Sequence, residues 1–232
     1  MFNSRVFVAE LIGTFALTFF GAGAAVAGVG LVGVALAHGF VLAVFVYVYG
    51  HISGTHVNPA VTFGLALNGT IRWGEAVFYW IAQFLGAAIA AFLLLAFTGD
   101  ITNAATVGSL TAGAPVLALL VEALLTFFLV NTVLHAAVAG RAGPFAGWAI
   151  GTTLAVAILA GGPLTGASLN PARTFGPALF TGDFANPNTY LIYLVGPFLG
   201  AAVAVATFKF LNGSEQPAAG EKSGPKKKLR SK

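Results

Sequence analysis

The pattern of apolar and polar positions along the chain is dominated by long stretches without charge. No Asp, Glu, Lys or Arg occurs over 11–71, and further uncharged runs cover 76–99, 101–121, 123–140 and 184–208. A membrane-crossing helix needs about 20 predominantly apolar residues. Hydropathy and the intervening punctuation predict six such helices, at 6–26, 33–50, 75–97, 115–138, 145–160 and 188–211. Two further segments, 51–72 and 161–187, are too apolar to be loops in water. The connection 98–114 is rich in Gly, Thr and Ala, and from Asn212 onward the chain turns polar. The expected fold class is an all-α, polytopic membrane protein.

Composition strengthens this picture. Hydrophobic residues make up 58% of the 232 residues and charged residues 8%, with a mean hydropathy of +0.90. A soluble domain carries about 25% charged residues, so a water-soluble globule is excluded. The abundance of Gly, 30 residues, points to helices packed closely through small side chains. With no cysteine there is no disulfide framework, thiolate nucleophile or Cys-held metal. No cofactor and no metal are expected.

The net charge of +4 comes mostly from the end of the chain, where Lys222, Lys226, Lys227, Lys228, Arg230 and Lys232 cluster. It describes a tail, not a nucleic-acid-binding face. The domain reading is one channel domain over 1–211, with repeats of about 1–98 and 115–211, and a disordered basic tail over 212–232 beside anionic headgroups. Arg5 leads into the first apolar segment, which has no cleavage-site pattern and reads as a retained span. Arg5, Arg72, Arg141 and Lys209 all fall on one side of the predicted spans. Asp100, Asp183 and a single basic residue, Arg173, fall on the other. Both termini are therefore expected in the cytoplasm, with the chain in the cell membrane.

The chain also repeats itself. At an offset of 112 residues Glu10 falls on Glu122, Thr14-Phe15 on Thr126-Phe127, Gly54 on Gly166, and Asn58-Pro59-Ala60 on Asn170-Pro171-Ala172. At an offset of 114, 84–88 matches 198–202. Chance likeness between apolar segments does not place Glu and Asn-Pro-Ala in one register. Three spans per copy reverse the second copy against the first, and such inverted repeats put their pathway near the midplane, at interrupted helices.

Asn is a preferred helix N-cap and Pro is favoured at the first helical position. Two short helices are thus predicted, at 59–67 and 171–180. Nine or ten residues span about 14 Å, roughly half of the ~30 Å hydrocarbon core. Entering from opposite faces, they meet N-terminus to N-terminus. The stretches before them, 53–57 and 165–169, are expected to be extended backbone lining a water-filled path. The Asn amides then offer donors to a passing molecule. Two helix N-termini, each about half a positive charge, make that point unfavourable for cations and hydronium.

The paired segments 50–60 and 166–173 resemble the signatures of the aquaporin (major intrinsic protein) family, and the likeness runs from about Glu10 to Phe210. The resemblance implies six helices plus two half-helices, one pore per chain, and a homotetramer. It implies that Asn58, Pro59, Ala60, Asn170, Pro171 and Ala172 form the pore centre, and that Glu10 and Glu122 brace its loops. It also implies a selectivity filter of His38, Ile158, Ala167 and Arg173. An isolated buried guanidinium such as Arg173 needs a function of this kind. Water-selective members usually carry an aromatic where His38 stands and His where Ile158 stands, so this filter resembles that of plant tonoplast-type members. Thr174 and Ala178 replace the Asp and the basic residue usual in glycerol facilitators. His56 is expected to line the cytoplasmic part of the path. His135 and most of Trp73, Tyr79, Trp80, Trp148, Tyr190 and Tyr193 are expected to be packing or interface residues.

Water, with ammonia or another small neutral solute, is the expected cargo, and the bilayer and other copies of the chain are the expected partners. An ion- or proton-coupled transporter would also use broken helices. It needs titratable groups in its pathway, and only Glu10 and Glu122 are available. No cluster of catalytic residues has suitable spacing for an enzyme.

Overall fold

The computed structural model describes residues 2–213, and all regular structure among them is helical. The basic tail expected over 212–232 lies outside the described residues beyond Gly213. Six long apolar helices are α1 Ser4–Val26, α2 Gly30–Ser53, α4 Trp73–Thr98, α5 Pro115–Val138, α6 Gly143–Thr165 and α8 Pro187–Asn212. Between them lie two short helices, α3 Pro59–Asn68 and α7 Pro171–Thr181. α5 ends with a π-helical turn, Leu134–Val138, and α8 carries another, Leu191–Val195, after its first turn Pro187–Tyr190.

Local sequence explains where the elements begin and end. Asn3 Oδ1 accepts the Arg5 N–H at 3.0 Å and caps α1. Asn58 and Asn170 cap α3 and α7, each followed by Pro at the first position. Gly69 and Gly182, both left-handed, close the two short helices. The helix expected over 145–160 runs on to Thr165, through Pro163. A proline this late removes one helical bond. The Pro163 and Leu164 carbonyls of this last turn accept N–H groups from Ser109 and Leu110, both at 3.0 Å. The connection after α4 is thereby tied to the end of α6.

The two repeats pack alike. α1 lies on α4 and α5 on α8, while α2 crosses α6. Gly86 sits against the Leu11 carbonyl, and its counterpart Gly200 against the Ala123 carbonyl. Close approach of this kind is how small residues hold helices together in lipid. The apolar cluster of Leu42, Val61, Leu129, Leu154 and their neighbours lies between the repeats. Large side chains such as Phe92, Phe97, Leu124 and Phe128 face outward, as the bilayer requires of a helix surface.

Candidate functional site

The loops before α3 and α7 are where the structure departs from simple expectation. They are not extended strands. Gly54 and Gly166 are left-handed, and so are Thr55, Val57, Ala167 and Leu169, with φ of 49°, 43°, 45° and 53°. Such a conformation costs about 1–3 kcal/mol at a non-glycine residue and persists only when surroundings enforce it. The enforcement comes from the two buried glutamates. Glu10 Oε1 accepts from Ser53 Oγ at 2.7 Å and His56 N at 2.9 Å, and its Oε2 from Val57 N at 2.7 Å. Glu122 Oε1 accepts from Thr165 Oγ1 at 2.7 Å and Ser168 N at 3.0 Å, and its Oε2 from Leu169 N at 2.8 Å. Each carboxyl group gathers the donors of the loop it faces and so braces that loop.

The loops end at the two Asn side chains. Asn58 Oδ1 accepts from Ala60 N at 2.8 Å. Asn170 Oδ1 accepts from Ala172 N at 3.0 Å and Arg173 N at 3.2 Å. Each amide also reaches across: Asn58 Nδ2 donates to the Leu169 carbonyl, and Asn170 Nδ2 to the Val57 carbonyl, both at 2.8 Å. The N-termini of α3 and α7 therefore face each other. Each amide keeps one N–H beyond this bond.

A narrow cavity runs past this junction, bordered by His38, His56, Asn58, Asn170 and Arg173 among polar residues and by Leu17, Val133, Ile150 and Leu154 among apolar ones. Its volume open to the centres of water-sized molecules is about 30 Å³, and about 10–15 Å³ holds one water. It admits a short file of molecules rather than a pool. On one side of the junction His56 stacks on Tyr79, with ring centres 4.4 Å apart, and its Nδ1 lies 3.2 Å from Thr62 Oγ1. On the other side Arg173 donates from Nε to His38 Nε2 at 3.3 Å and from Nη1 to the Ala104 carbonyl at 2.8 Å. Because Nε2 accepts, the His38 proton sits on Nδ1, which donates to the Val34 carbonyl at 2.9 Å.

The structure thus brings His38 and Arg173 into direct contact. Ile158 and Ala167 are buried in the surrounding apolar cluster and bond to neither. Among the described residues no group of three or more His, Cys, Asp or Glu side chains is placed to hold a metal.

Three contributors were missed by sequence reasoning. Tyr79 and Tyr193, expected to be packing or interface residues, are buried braces. Tyr79 Oη donates to the Ser53 carbonyl at 2.7 Å, and Tyr193 Oη lies 2.6 Å from the Thr165 carbonyl and also contacts the Thr106 carbonyl. They are 114 residues apart, the offset already found for 84–88, and that was the available signal. The third is the connection after α4, whose Ala104 carbonyl anchors Arg173. Thr106 Oγ1 of the same connection donates to Thr174 Oγ1 at 3.0 Å.

An inverted repeat of membrane-crossing helices, interrupted by two half-helices that frame one narrow path, defines a polytopic membrane channel. Comparison with known proteins agrees. The family model described as "Major intrinsic protein" matches residues 1–208. The chain is 43% identical over 215 residues to "Aquaporin TIP2-1" of Arabidopsis thaliana, covering 86% of this chain and 84% of that one. It is 43% identical over 237 residues to "Aquaporin AqpM" of Methanothermobacter thermautotrophicus, covering 88% and 96%. Among solved structures, the aquaglyceroporin from Plasmodium falciparum superposes with a TM-score of 0.76 at 26% identity, over 88% of this chain and 95% of that one. The chain belongs to the major intrinsic protein family. It is a membrane channel for water, small solutes or both, and not an enzyme.

Proposed function

We propose that this channel conducts water and ammonia passively and excludes protons and other ions. The observation that carries the reading is the pair of crossed bonds at the junction, Asn58 Nδ2 to Leu169 O and Asn170 Nδ2 to Val57 O. They hold two helix N-termini point to point, so positive partial charge from both sides bears on one spot. A molecule there meets the remaining amide N–H groups as donors. Its oxygen or nitrogen must turn toward them, which interrupts a donor chain running through the file. Pro59, Ala60, Pro171 and Ala172 keep the two helix starts in place.

The narrowest selection is assigned to His38, Ile158, Ala167 and Arg173. His38 and Arg173 supply polar contacts, and Ile158 and Ala167 leave the rest of the wall apolar. A neutral molecule the size of water that donates and accepts hydrogen bonds fits such a wall. Glycerol is larger and meets Thr174 and Ala178 in place of the facilitators' Asp and basic residue, so its flux is small. His56 lines the opposite half of the path, and Glu10 and Glu122 act through the loops they hold. The reading includes a homotetramer with one path per chain in the cell membrane. Both termini lie in the cytoplasm, on the side carrying Arg5, Arg72, Arg141 and Lys209.

Proteoliposomes test this directly. Purified protein should accelerate shrinkage under an osmotic step and internal alkalinisation under an ammonium gradient, with no proton influx when a membrane potential is applied. Proton influx that tracks protein content would support a coupled transporter instead. Fast water flux with no ammonia flux above empty liposomes would restrict the cargo to water.

A further inference from the structure

His38 is held from three directions, and one of them is an absence. Val34 O accepts from Nδ1 and Arg173 Nε donates to Nε2. The third neighbour is Gly21 of α1. A Cβ placed on Gly21 would lie 2.6 Å from His38 Cε1 and closer still to Cδ2 and Nε2, and these three ring atoms are its nearest contacts. Real side-chain carbons do not approach so closely. The flat ring of His38 occupies the space that the missing methyl leaves.

The second repeat provides a comparison within the same chain. At the offset of 112, Gly21 corresponds to Val133 and His38 to Ile150. Both Val133 and Ile150 border the cavity. There an aliphatic side chain stands where Gly21 has none, and an aliphatic residue replaces the ring. The small residue and the ring thus occur together in one repeat and are both absent from the other. Helix packing alone does not account for the choice, since Val133 is accommodated at the equivalent position.

We propose that Gly21 is a specificity-determining positioning residue: it provides the recess into which the His38 ring withdraws, and so sets the width and the hydrogen-bonding wall of the path beside Arg173. The inference rests on the reading of His38 as part of the selective constriction. Any side chain at position 21 drives the ring off its place. The bonds to Val34 and Arg173 then stretch, and the ring is displaced from its place in the cavity wall. Interiors packed to crystal-like density do not absorb a methyl without such a shift.

The test is a double-substitution cycle on osmotic water flux and ammonia flux in proteoliposomes, normalised to protein content. Gly21→Ala alone should lower water flux severalfold and shift the water-to-ammonia ratio. His38→Ala removes the ring and gives a path with a wider solute cut-off. Gly21→Ala added to His38→Ala should then change neither flux, since the methyl enters space the ring has left. Strong non-additivity of this kind marks residues in direct contact. If Gly21→Ala conducts like the parent, the inference is overturned. It is equally overturned if Gly21→Ala impairs flux or assembly to the same extent in both backgrounds, which would make Gly21 a helix-packing residue only. If the parent carries water but no ammonia while the water fluxes follow the expected cycle, the ammonia reading fails and the role of Gly21 stands.

Discussion

Glu10 and Glu122 anchor corresponding loops through corresponding bonds and differ by one donor. Gln83 Nε2 reaches Glu10 Oε2 at 2.8 Å, whereas Pro197 occupies the matching position of the second repeat and has no such group. Gln83 also donates to Thr62 Oγ1 at 2.8 Å, so the first loop is tied to α3 and α4 together. The second loop is tied through Thr174 Oγ1 to Ser168 Oγ at 2.5 Å. The two halves solve one problem with different side chains.

Replacing either glutamate by Gln puts an NH₂ group against donors. Each buried N–H left without an acceptor costs about 1–3 kcal/mol. Glu10→Gln and Glu122→Gln should both lower the unfolding temperature of purified protein in detergent, and Glu10→Gln should lower it more, because four donors converge on Glu10 and three on Glu122. Equal losses in the two variants would mean that the Gln83 bond adds nothing.

The tyrosines give a second asymmetry. Tyr79 Oη reaches one carbonyl, while Tyr193 Oη lies between those of Thr165 and Thr106. Tyr193→Phe should therefore free the connection after α4 as well as the second loop. Limited proteolysis should cut between Gly99 and Ala114 faster in Tyr193→Phe than in the parent or in Tyr79→Phe. A cleavage rate unchanged by Tyr193→Phe would show that Ser109, Leu110 and Thr106 hold the connection without it.

These details mark where the sequence was legible. The spans were legible because apolar runs of membrane length have few other uses. The two half-helices were legible because Asn-Pro is a helix-start signal, repeated at a fixed offset. The loop conformation was not. Thr55, Val57 and Leu169 are not residues that announce a left-handed backbone, and the carboxylates that impose it lie 45 to 47 positions upstream. The anchor of Arg173 was equally hidden, because the acceptor is the main-chain carbonyl of Ala104, a group every residue has. By type Tyr79 and Tyr193 resemble any aromatic of a membrane helix, and only their spacing of 114 residues marks them as a repeated pair.

Mercury provides a test of the second loop. The chain has no cysteine, so water flux should be indifferent to mercurials. Ala167 is buried beside the end of α6, its Cβ 3.4 Å from where a methyl on Gly161 would lie. Ala167→Cys should create sensitivity that a thiol reductant reverses. A variant that conducts normally and stays insensitive would remove Ala167 from the constriction.

The last prediction concerns the ring and the aliphatic wall together. His38 accepts from Arg173 Nε, and no atom of a phenylalanine can take that place with comparable strength. In His38→Phe alone the guanidinium keeps its bond to the Ala104 carbonyl but loses the ring, so its Nε–H must turn to the passing molecules. If Ile158 forms the facing wall, as proposed, adding Ile158→His returns a polar ring to that wall and narrows the path. The double variant should retain most of the water flux while ammonia flux falls toward that of empty liposomes. Water can accept through two lone pairs from the freed Arg173 Nε–H and from the new ring, whereas ammonia has a single lone pair to accept with and gains less from a wall richer in donors. Parallel measurement of osmotic shrinkage and internal alkalinisation on one preparation separates the two solutes. If both fluxes fall together, the variant has only closed the path. If ammonia flux persists beside normal water flux, selection between the two solutes lies elsewhere than at His38 and Ile158.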